Sequence, residues 1–545
     1  MASRDLPKSF SDAVIGWVPR AKKEITWAKT TNETDPELTS VGSLSGRAPY
    51  VPTQIVETES SVKAKNLWPI FTAGAGLFSD GYVNNSISTA STCLSLLYGA
   101  EYKKSRAINN VSSIAFAGTV LGQLTFGVLS DYMSRKTGML ISSAILIVFA
   151  ILCSGSWGAG GSAGGLFAAL TAYRFFLGVG IGAEYPTGSA ACAEASALLP
   201  AGHRNRYFAW FTNFMIDMGF VVSAFVPMVM LWICGPNHLT PVWRVTLGLG
   251  AIPPLSLFLM RLKFKEGEAF TKTNFKGVRV PYGAIIKFYW FRLIIVAVIW
   301  WIYDFSVYAF GIYSSTILAE IIPDGDLYKT FGWNVVINLF YIPGAFLGAL
   351  AADYIGPRLC LAVGVFLQAI IGYIMAGCLE SLKKHIAGFV VVYGIFLTFG
   401  EFGPGDNIGL LASKTSATPI RGQYYGIAAA TGKIGAFVGT YLFPIIEADA
   451  GGADTTPGLQ APFWTASTLA IFAGVLALFF LPAVDQDAMA AEDVKFLEYL
   501  ASTGFDISQL GDGSLASQIN NSAETAQTDE KEEVVEVSPE YSDKK

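Results

Sequence analysis

The chain has 545 residues, 52% of them hydrophobic and 14% charged, with a mean hydropathy of +0.45 and a formal net charge of −5. Soluble chains of this length carry about 25% charge, so the deficit points to a membrane protein and gives nucleic-acid binding no support. The six cysteines show no CxxC or clustered spacing and lie in or beside apolar segments, as small buried hydrophobes do. The three histidines fall between apolar segments, so proton chemistry inside a membrane must use carboxylates.

Residues 1–66, from MASRDLPKSF onward, are polar and without sustained periodicity, and read as a cytoplasmic tail. The first apolar run begins near Leu67 and is expected to act as its own insertion signal. A helix crossing the hydrocarbon core needs about 20 apolar residues. That rule predicts twelve spans, near 67–90, 109–130, 137–155, 165–190, 207–232 and 241–261, then 292–318, 331–353, 358–378, 386–412, 421–447 and 461–482. A polar stretch, 263–290, divides them into a first half, 67–262, and a second half, 291–482. Residues 483–545 open with a short amphipathic helix, EDVKFLEYL. They then dissolve into SAETAQTDEKEEVVEVSPEYSDKK, an acidic end expected to be disordered and more easily read as inert than as regulatory.

An even number of spans puts both tails on one side, and the Lys/Arg excess says which. Arg135, Lys136, Arg204, Arg206 and the bases of the middle stretch, from Lys263 to Lys287, mark that side as cytoplasmic, although Lys103, Lys104 and Arg106 run against the trend. The halves echo each other. GVLSDYMSRK (127–136) follows the second span and GALAADYIGPR (348–358) the eighth. Each sets an acid (Asp131, Asp353) before a base (Arg135 and Lys136, Arg358) in a tail-side turn, an arrangement that gates or orients helices rather than touching cargo. Likewise Arg206 precedes Asp217 in the fifth span as Arg421 precedes Lys433 in the eleventh. Internal duplication of this kind is what transporter folds are built from.

A charge at a helix centre costs about 2.5–3.5 kcal/mol, so those retained are paired or functional. The spans hold Asp80, Arg174, Glu184, Asp217, Asp304, Glu401, Asp406 and Lys433. Asp80, Asp217, Asp304 and Lys433 lie at similar distances past the tail-side starts of their spans, roughly 15–20 Å in, which puts them at one level near the midplane. Trp300, Asp304 and Tyr308 recur every fourth residue and share one helix face, an acid between an indole and a phenol. Lys433 is the sole ammonium at that depth, flanked by Gly432 and Gly435. It either locks the halves together or holds an anion, and both roles can alternate: it pairs with a carboxylate until that carboxylate is protonated and an anion takes over. Arg174 with Gly178 and Gly182 reads as helix packing, and Glu194 as a partner for the tail-side bases. No catalytic triad, metal-ligand cluster or phosphate-cradling loop is evident, so neither an enzyme nor a cofactor is expected, and no oligomer is implied.

The two six-helix halves and GVLSDYMSRK resemble the major facilitator superfamily. That resemblance implies an all-α membrane fold of twelve helices in two pseudo-symmetric halves. GLFSDGY, GIGAEYP, WWIYDFSVY and AAATGKIGA resemble the proton-coupled phosphate symporters, and FSDGYVNN, IGAEYP and FGEFGPGDN with ASKTSAT are similar to the fungal glycerophosphodiester permeases. The resemblance implies proton-coupling roles for Asp80 and Glu184, with Glu184 where an Asp is usual; Asp304 is a further candidate for proton coupling. It places Tyr185, Trp300, Asp304, Tyr308 and Lys433 around the bound phosphate. Two departures stand out. Where the symporters have FGPN, counting back from Lys433 puts Gly405 at the Asn position, so Gly405 and Asn407 both belong to the candidate binding set. Asp217 stands where they have a Gln, and could accept bonds from hydroxyls or attract choline's cation. Both changes favour an organic phosphodiester over phosphate.

The expected function is a plasma-membrane proton symporter that imports glycerophosphoinositol or glycerophosphocholine, with phosphate as a further cargo, by alternating access. The partners implied are a small anionic organic phosphate, a proton and the bilayer. An inorganic phosphate symporter is the near alternative, and a nutrient receptor that signals without transport is one of another class. Sugar transport fits less well, since spans five and seven offer Asp217 and Asp304 where sugar transporters resemble one another in glutamines.

Overall fold

In the computed structural model, which describes Pro7 and residues 9–27, 64–103, 106–200, 202–322, 326–452 and 455–512, every regular element among the described residues is helical. Eleven helical stretches there are long and apolar enough to cross a membrane. They are Ala107–Tyr132, Arg135–Ser154, Ala163–Ser196, Arg204–Cys234 and Leu239–Arg261, then Tyr282–Ser314, Leu327–Ile355, Pro357–Gly377, Ile386–Lys414, Thr418–Asp449 and Thr456–Phe480. These coincide with the second to twelfth expected spans. The first is two helices, Ala64–Gly74 and Phe78–Tyr98, joined by a 3-10 turn at Ala75–Leu77. Its second piece is less apolar because Asp80, Asn84, Asn85, Ser86, Ser88 and Thr89 are turned into the protein, each no more than 4% exposed.

Small residues set the distance between spans. In the first half, Gly118 and Gly122 of span two lie on the carbonyls of Phe175 and Val179 in span four, while Gly178 and Gly182 lie on those of Ala115 and Thr119. A Cβ at any of these would strike backbone, so the two helices pack chain against chain. Span seven packs on eleven and nine on twelve within the second half, and the halves meet where span eleven lies on two and span five on eight. Large apolar side chains such as Leu121, Val148, Ile151, Trp232, Ile370, Ile374 and Phe472 remain exposed on the outside of the bundle, as lipid contact requires.

Two spans carry a π-turn at related places. Span four has Tyr185–Ser189, which contains Pro186, and span ten has Glu401–Gly405, which contains Pro404. Such bulges re-aim side chains within a continuous helix and concentrate at functional sites.

The segments outside the spans add to the bundle. Helix Trp17–Trp27 inserts Glu24, fully buried, against Arg358: the carboxylate accepts from Arg358 Nε at 2.9 Å and from the Arg358 backbone N–H at 3.3 Å. The helix of span seven starts at Tyr282, within the stretch expected to be loop. Its first turns have a partner: Phe288 and Tyr289 stack on Phe496 and Tyr499, ring centroids 4.6–6.1 Å apart. Those two belong to helix Ala488–Ser502, which extends the expected EDVKFLEYL helix and packs on the bundle. The acidic run after residue 512, like residues 28–63, lies outside the described residues.

Candidate functional site

Lys433 occupies the seam between the halves. Span eleven approaches span seven closely because Gly435 and Gly439 rest on the carbonyls of Trp301 and Phe305, and Gly432 rests on the Trp300 ring. That contact brings the Lys433 ammonium to Asp304 Oδ2 at 3.4 Å. From the other half, Asp80, three residues past the 3-10 break in span one, reaches the same nitrogen at 3.2 Å. Two phenols complete the group. Tyr308 donates to Asp80 at 2.8 Å and accepts from Lys433, and Tyr185, first residue of the π-turn, also donates to Asp80. The ammonium sits 3.7 Å from the Tyr308 ring centroid and 5.0 Å from that of Tyr185, so it gains cation–π attraction as well. Asn84, one turn after Asp80, donates to its remaining oxygen.

Asp80, Asp304 and Lys433 are each 1% exposed. One cation therefore faces two carboxylates in a dry site, and the central group is short of one positive charge. An anion brought to Lys433 would deepen that deficit unless protons arrived with it.

Beside this group lies a cavity between the halves. Tyr185, Trp300, Asp304, Tyr308 and Gly405 line it, with Glu401 and Asp406. Lys433 and Asp80 stand directly behind the wall formed by the two tyrosines and Asp304. A Cβ at Gly405 would fall on the Glu401 carboxylate and 2.9 Å from the Tyr303 hydroxyl, so the glycine keeps this part of the wall open.

The tail side is shut by crossing contacts. Asp131 accepts from the backbone N–H groups of Gly422 at 2.8 Å and Gln423 at 2.7 Å. These belong to the first turn of helix Arg421–Asp449, whose N–H groups have no partner within the helix. Asp353 does the same for the other half, accepting from Asn205 at 3.1 Å and Arg206 at 3.3 Å in the first turn of helix Arg204–Phe211. A carboxylate from each half thus caps a helix of its opposite, where the positive end of the helix favours it. Arg135 holds Asp131 at 2.5 Å and Glu194 at 3.1 Å, and Arg421 crosses to the same Glu194 oxygen at 3.0 Å. Lys136 is peripheral, its ammonium donating to the Leu262 carbonyl at 2.7 Å. Arg358, unlike Arg135, leaves the acid of its own turn and turns to Glu24. On the opposite side of the cavity Asn85 bridges the halves, donating to Asn338 Oδ1 at 3.1 Å.

Three of the expected residues are placed elsewhere. Glu184 does not join Lys433. It is held by both guanidinium nitrogens of Arg261, at 2.6 and 2.7 Å, and by Ser142 at 2.7 Å. A carboxylate committed to a two-point ion pair is poorly suited to releasing and reloading a proton. Asn407 bends back onto its own helix, donating to the carbonyls of Phe402 and Gly403 at 3.2 and 2.8 Å, away from the cavity wall. Asp217 is buried behind that wall rather than in it. Arg174 donates to the Val111 carbonyl at 2.7 Å and ties span four to span two. The sequence reading passed over Arg261, Tyr303, Asn213 and Asn84. Of these only Arg261 carried a signal, a base at the very end of span six with no acid in its own turn.

The family model for sugar (and other) transporters matches residues 68–277 and 282–486. The chain belongs to that family. It is 58% identical over 520 residues to the major glycerophosphoinositol permease GIT3 of Candida albicans, covering 94% of this chain and 95% of that protein. It is 54% identical over 546 residues to the glycerophosphocholine permease GIT4 of the same organism, covering 98% and 99%. The inorganic phosphate transporter PT2 of Toxoplasma gondii stands further off, at 26% over 378 residues, covering 69% of this chain and 65% of that one. Among solved structures, the major facilitator superfamily proton:xylose symporter XylE has the same fold, with a TM-score of 0.65, 15% identity, and coverage of 79% of this chain and 98% of the symporter. Members of this family are transporters, and the expected fold of two six-helix halves is the one observed.

Proposed function

We propose that the chain is a plasma-membrane symporter that imports glycerophosphodiesters together with protons, with both tails in the cytoplasm. The observation that carries this is the central group: one buried ammonium held by two carboxylates and two phenols, directly behind the wall of a cavity between the two halves. Without cargo, Lys433 is neutralised by Asp80 and Asp304. A phosphodiester anion takes their place only if protons neutralise them, so cargo and proton load together and neither loads well alone. Tyr185, Tyr308 and Trp300 then supply hydroxyl and indole donors to the phosphate oxygens. The names of the 58% and 54% identical relatives, a glycerophosphoinositol permease and a glycerophosphocholine permease, support the cargo class. The lower likeness to a phosphate transporter, and three acids close to the cavity, make a phosphate dianion the poorer fit.

Uptake of labelled glycerophosphoinositol and glycerophosphocholine into acidified cells bearing this chain, with unlabelled phosphate as competitor, tests the reading. The expected result is saturable uptake of at least one diester, resistant to equimolar phosphate and abolished by Lys433→Ala. Transport of phosphate alone would establish a phosphate symporter, and normal diester uptake by Lys433→Ala would remove Lys433 from the anion site.

A further inference from the structure

Asp217, Glu401 and Asp406 form a second group of buried acids, and among the described residues no cation stands between them. Asp217 is fully buried and the other two are 1% exposed. Their polar partners are few. The side-chain amide of Asn213, one turn before Asp217, donates to Glu401 Oε2 at 3.0 Å and to Asp406 Oδ1 at 3.1 Å, so two carboxyl groups share one nitrogen. The Tyr303 hydroxyl lies 2.9 Å from both Glu401 oxygens. Both oxygens of Asp217, and Asp406 Oδ2, are buried with no hydrogen-bond partner.

The other titratable groups facing this cluster are Tyr303 and Asp304 on span seven, Tyr341 on span eight, Cys360 on span nine and Lys433 on span eleven. Lys433 is the only cation in that set, and its ammonium is already committed to Asp80, Asp304 and Tyr308. Three ionised carboxylates would thus sit in a dry place on one amide, one phenol and, at Asp406, the Ala349 backbone N–H. A proton on any of them changes the account, since a carboxyl group donates where a carboxylate only accepts, and a donor is what the unpartnered oxygens lack.

The cluster also spans the seam. Asn213 and Asp217 belong to the first half, and Tyr303, Glu401 and Asp406 to the second. Protonated, the acids can bond across it. Ionised, they repel across it.

We propose that Asp217, Glu401 and Asp406 are a second proton-binding site, distinct from the Asp80–Asp304–Lys433 group, whose protonation allows the halves to close around cargo. It rests on the reading of the chain as a proton-coupled symporter. The central group couples the proton to the anion by charge exchange, whereas the acid cluster couples it to the movement of the halves. Glu401 sits on the π-turn of span ten and Asp406 begins the helix beyond it, so relaxation of that turn would carry both acids toward or away from Asp217.

Proteoliposomes of the full chain separate the two sites. Two fluxes are measured with glycerophosphoinositol or glycerophosphocholine, whichever the wild type transports: concentrative uptake driven by an imposed pH gradient, and exchange of internal for external diester at equal pH. Asp217→Asn, Glu401→Gln and Asp406→Asn each imitate the protonated acid. The expected result is a loss of about tenfold or more in gradient-driven uptake, with exchange retained within about twofold and no longer dependent on pH. Lys433→Ala should lose both fluxes; if it does not, the anion-site reading fails while the cluster is still judged on its own variants. Exchange lost along with uptake in all three would make the cluster structural, and uptake retained with a wild-type pH profile would also overturn the proposal. So would a switch in preference between the two diesters with gradient coupling intact, which would make the acids a head-group site. A pH dye inside wild-type vesicles gives a further reading without variants: about two or more protons should enter per diester, and a single proton would refute two sites.

Discussion

Glu24 lies far outside the expected first span, yet the structure makes it part of the fold. Its carboxylate fills the space over Gly356, whose φ of +87° turns the chain into span nine, and satisfies Arg358 where no solvent reaches either side chain. In Glu24→Ala both bonds disappear and a guanidinium is left buried. Arg358 then retains the Leu478 carbonyl at 2.9 Å as its one side-chain acceptor. Removing one partner of a buried pair costs about 3–5 kcal/mol, most of it the stranded charge rather than the lost bond. That origin gives a distinctive pattern. Arg358→Met, which retains much of the stem and removes the charge, should cost less than Glu24→Ala when Glu24 is free to take a proton, and the double variant should recover most of the loss. Burial already pushes Glu24 above the ordinary carboxylate range despite the guanidinium beside it, so its neutralisation is within reach. The apparent melting temperature of detergent-purified protein, measured for the two single variants and the double, checks the pattern. Additive losses, or a Glu24→Ala protein as stable as wild type, would show that helix Trp17–Trp27 is an appendage and that the pair contributes nothing.

The tail-side helix gives a pH test. Asp493 accepts from the Thr418 N–H and hydroxyl at 2.6 and 2.7 Å, and burial pushes it up to about 6. With the helix undocked it would titrate near 3.8, so docking is strongest below that value and weakens as pH rises through 6, by roughly 3 kcal/mol in all. Hydrogen-exchange protection of Ala488–Ser502 should therefore fall between about pH 4 and about pH 6 in wild type and be flat in Asp493→Asn; protection that rises with pH would contradict this. Gly435→Ala should cost about 1–3 kcal/mol, because its Cβ lands on the Trp301 carbonyl and must push span eleven away from span seven. Diester uptake should drop with it, as Lys433 moves off Asp304, while Gly283→Ala on the same pair of spans, which meets nothing, leaves both unchanged.

How much of this was legible in the sequence follows the physics of each signal. Spans two to twelve are visible because a membrane crossing needs a run of apolar residues whatever it packs against. Span one is visible as an element but not as a broken one, since the 3-10 turn of Ala-Gly-Leu holds no proline and lone glycines recur throughout the spans; a Cβ at Gly76 would strike Glu184 and Arg261, a contact only packing reveals. The central group is legible because each member is an uncommon residue at one depth: helical spacing alone puts Trp300, Asp304 and Tyr308 on one face and levels them with Lys433. Glu184 shows where the reading stops. Its place in the motif is right, but its partner lies in span six, 77 residues on, and only packing decides whether a buried acid faces a guanidinium or a lysine. Asp217 is a similar case, as depth says nothing about which side of a wall a side chain takes. Asn213 and Tyr303 had no signal, being ordinary polar residues in amphipathic surroundings.

The two halves use one device twice and then diverge, and the divergence bears on how the transporter moves. Asp131 and Asp353 cap opposite helices, so the tail-side seal is symmetric in its backbone contacts. Its side-chain reinforcement is not. Asp131 is backed by Arg135, which also holds Glu194 and the Thr418 carbonyl, and Arg421 joins from across the seam. Asp353 is backed by Arg206, more exposed than Arg135, and by Gln486 from the tail segment at 3.1 Å. The Asp353 clasp draws a residue from beyond the last span directly, whereas the Asp131 clasp is touched from there only through Asp493, which lies 3.9 Å from Arg421. Separation of the halves on this side must therefore break the Asp353 clasp together with the docking of residues 483–512. Since Asp493 of that segment also holds Thr418 beside the Asp131 clasp, undocking the segment weakens both at once. The cost of opening is then set by how firmly the segment binds, and protonation of Asp493, which tightens it, raises that cost. Acidification on the tail side would by this route slow release of cargo to that side.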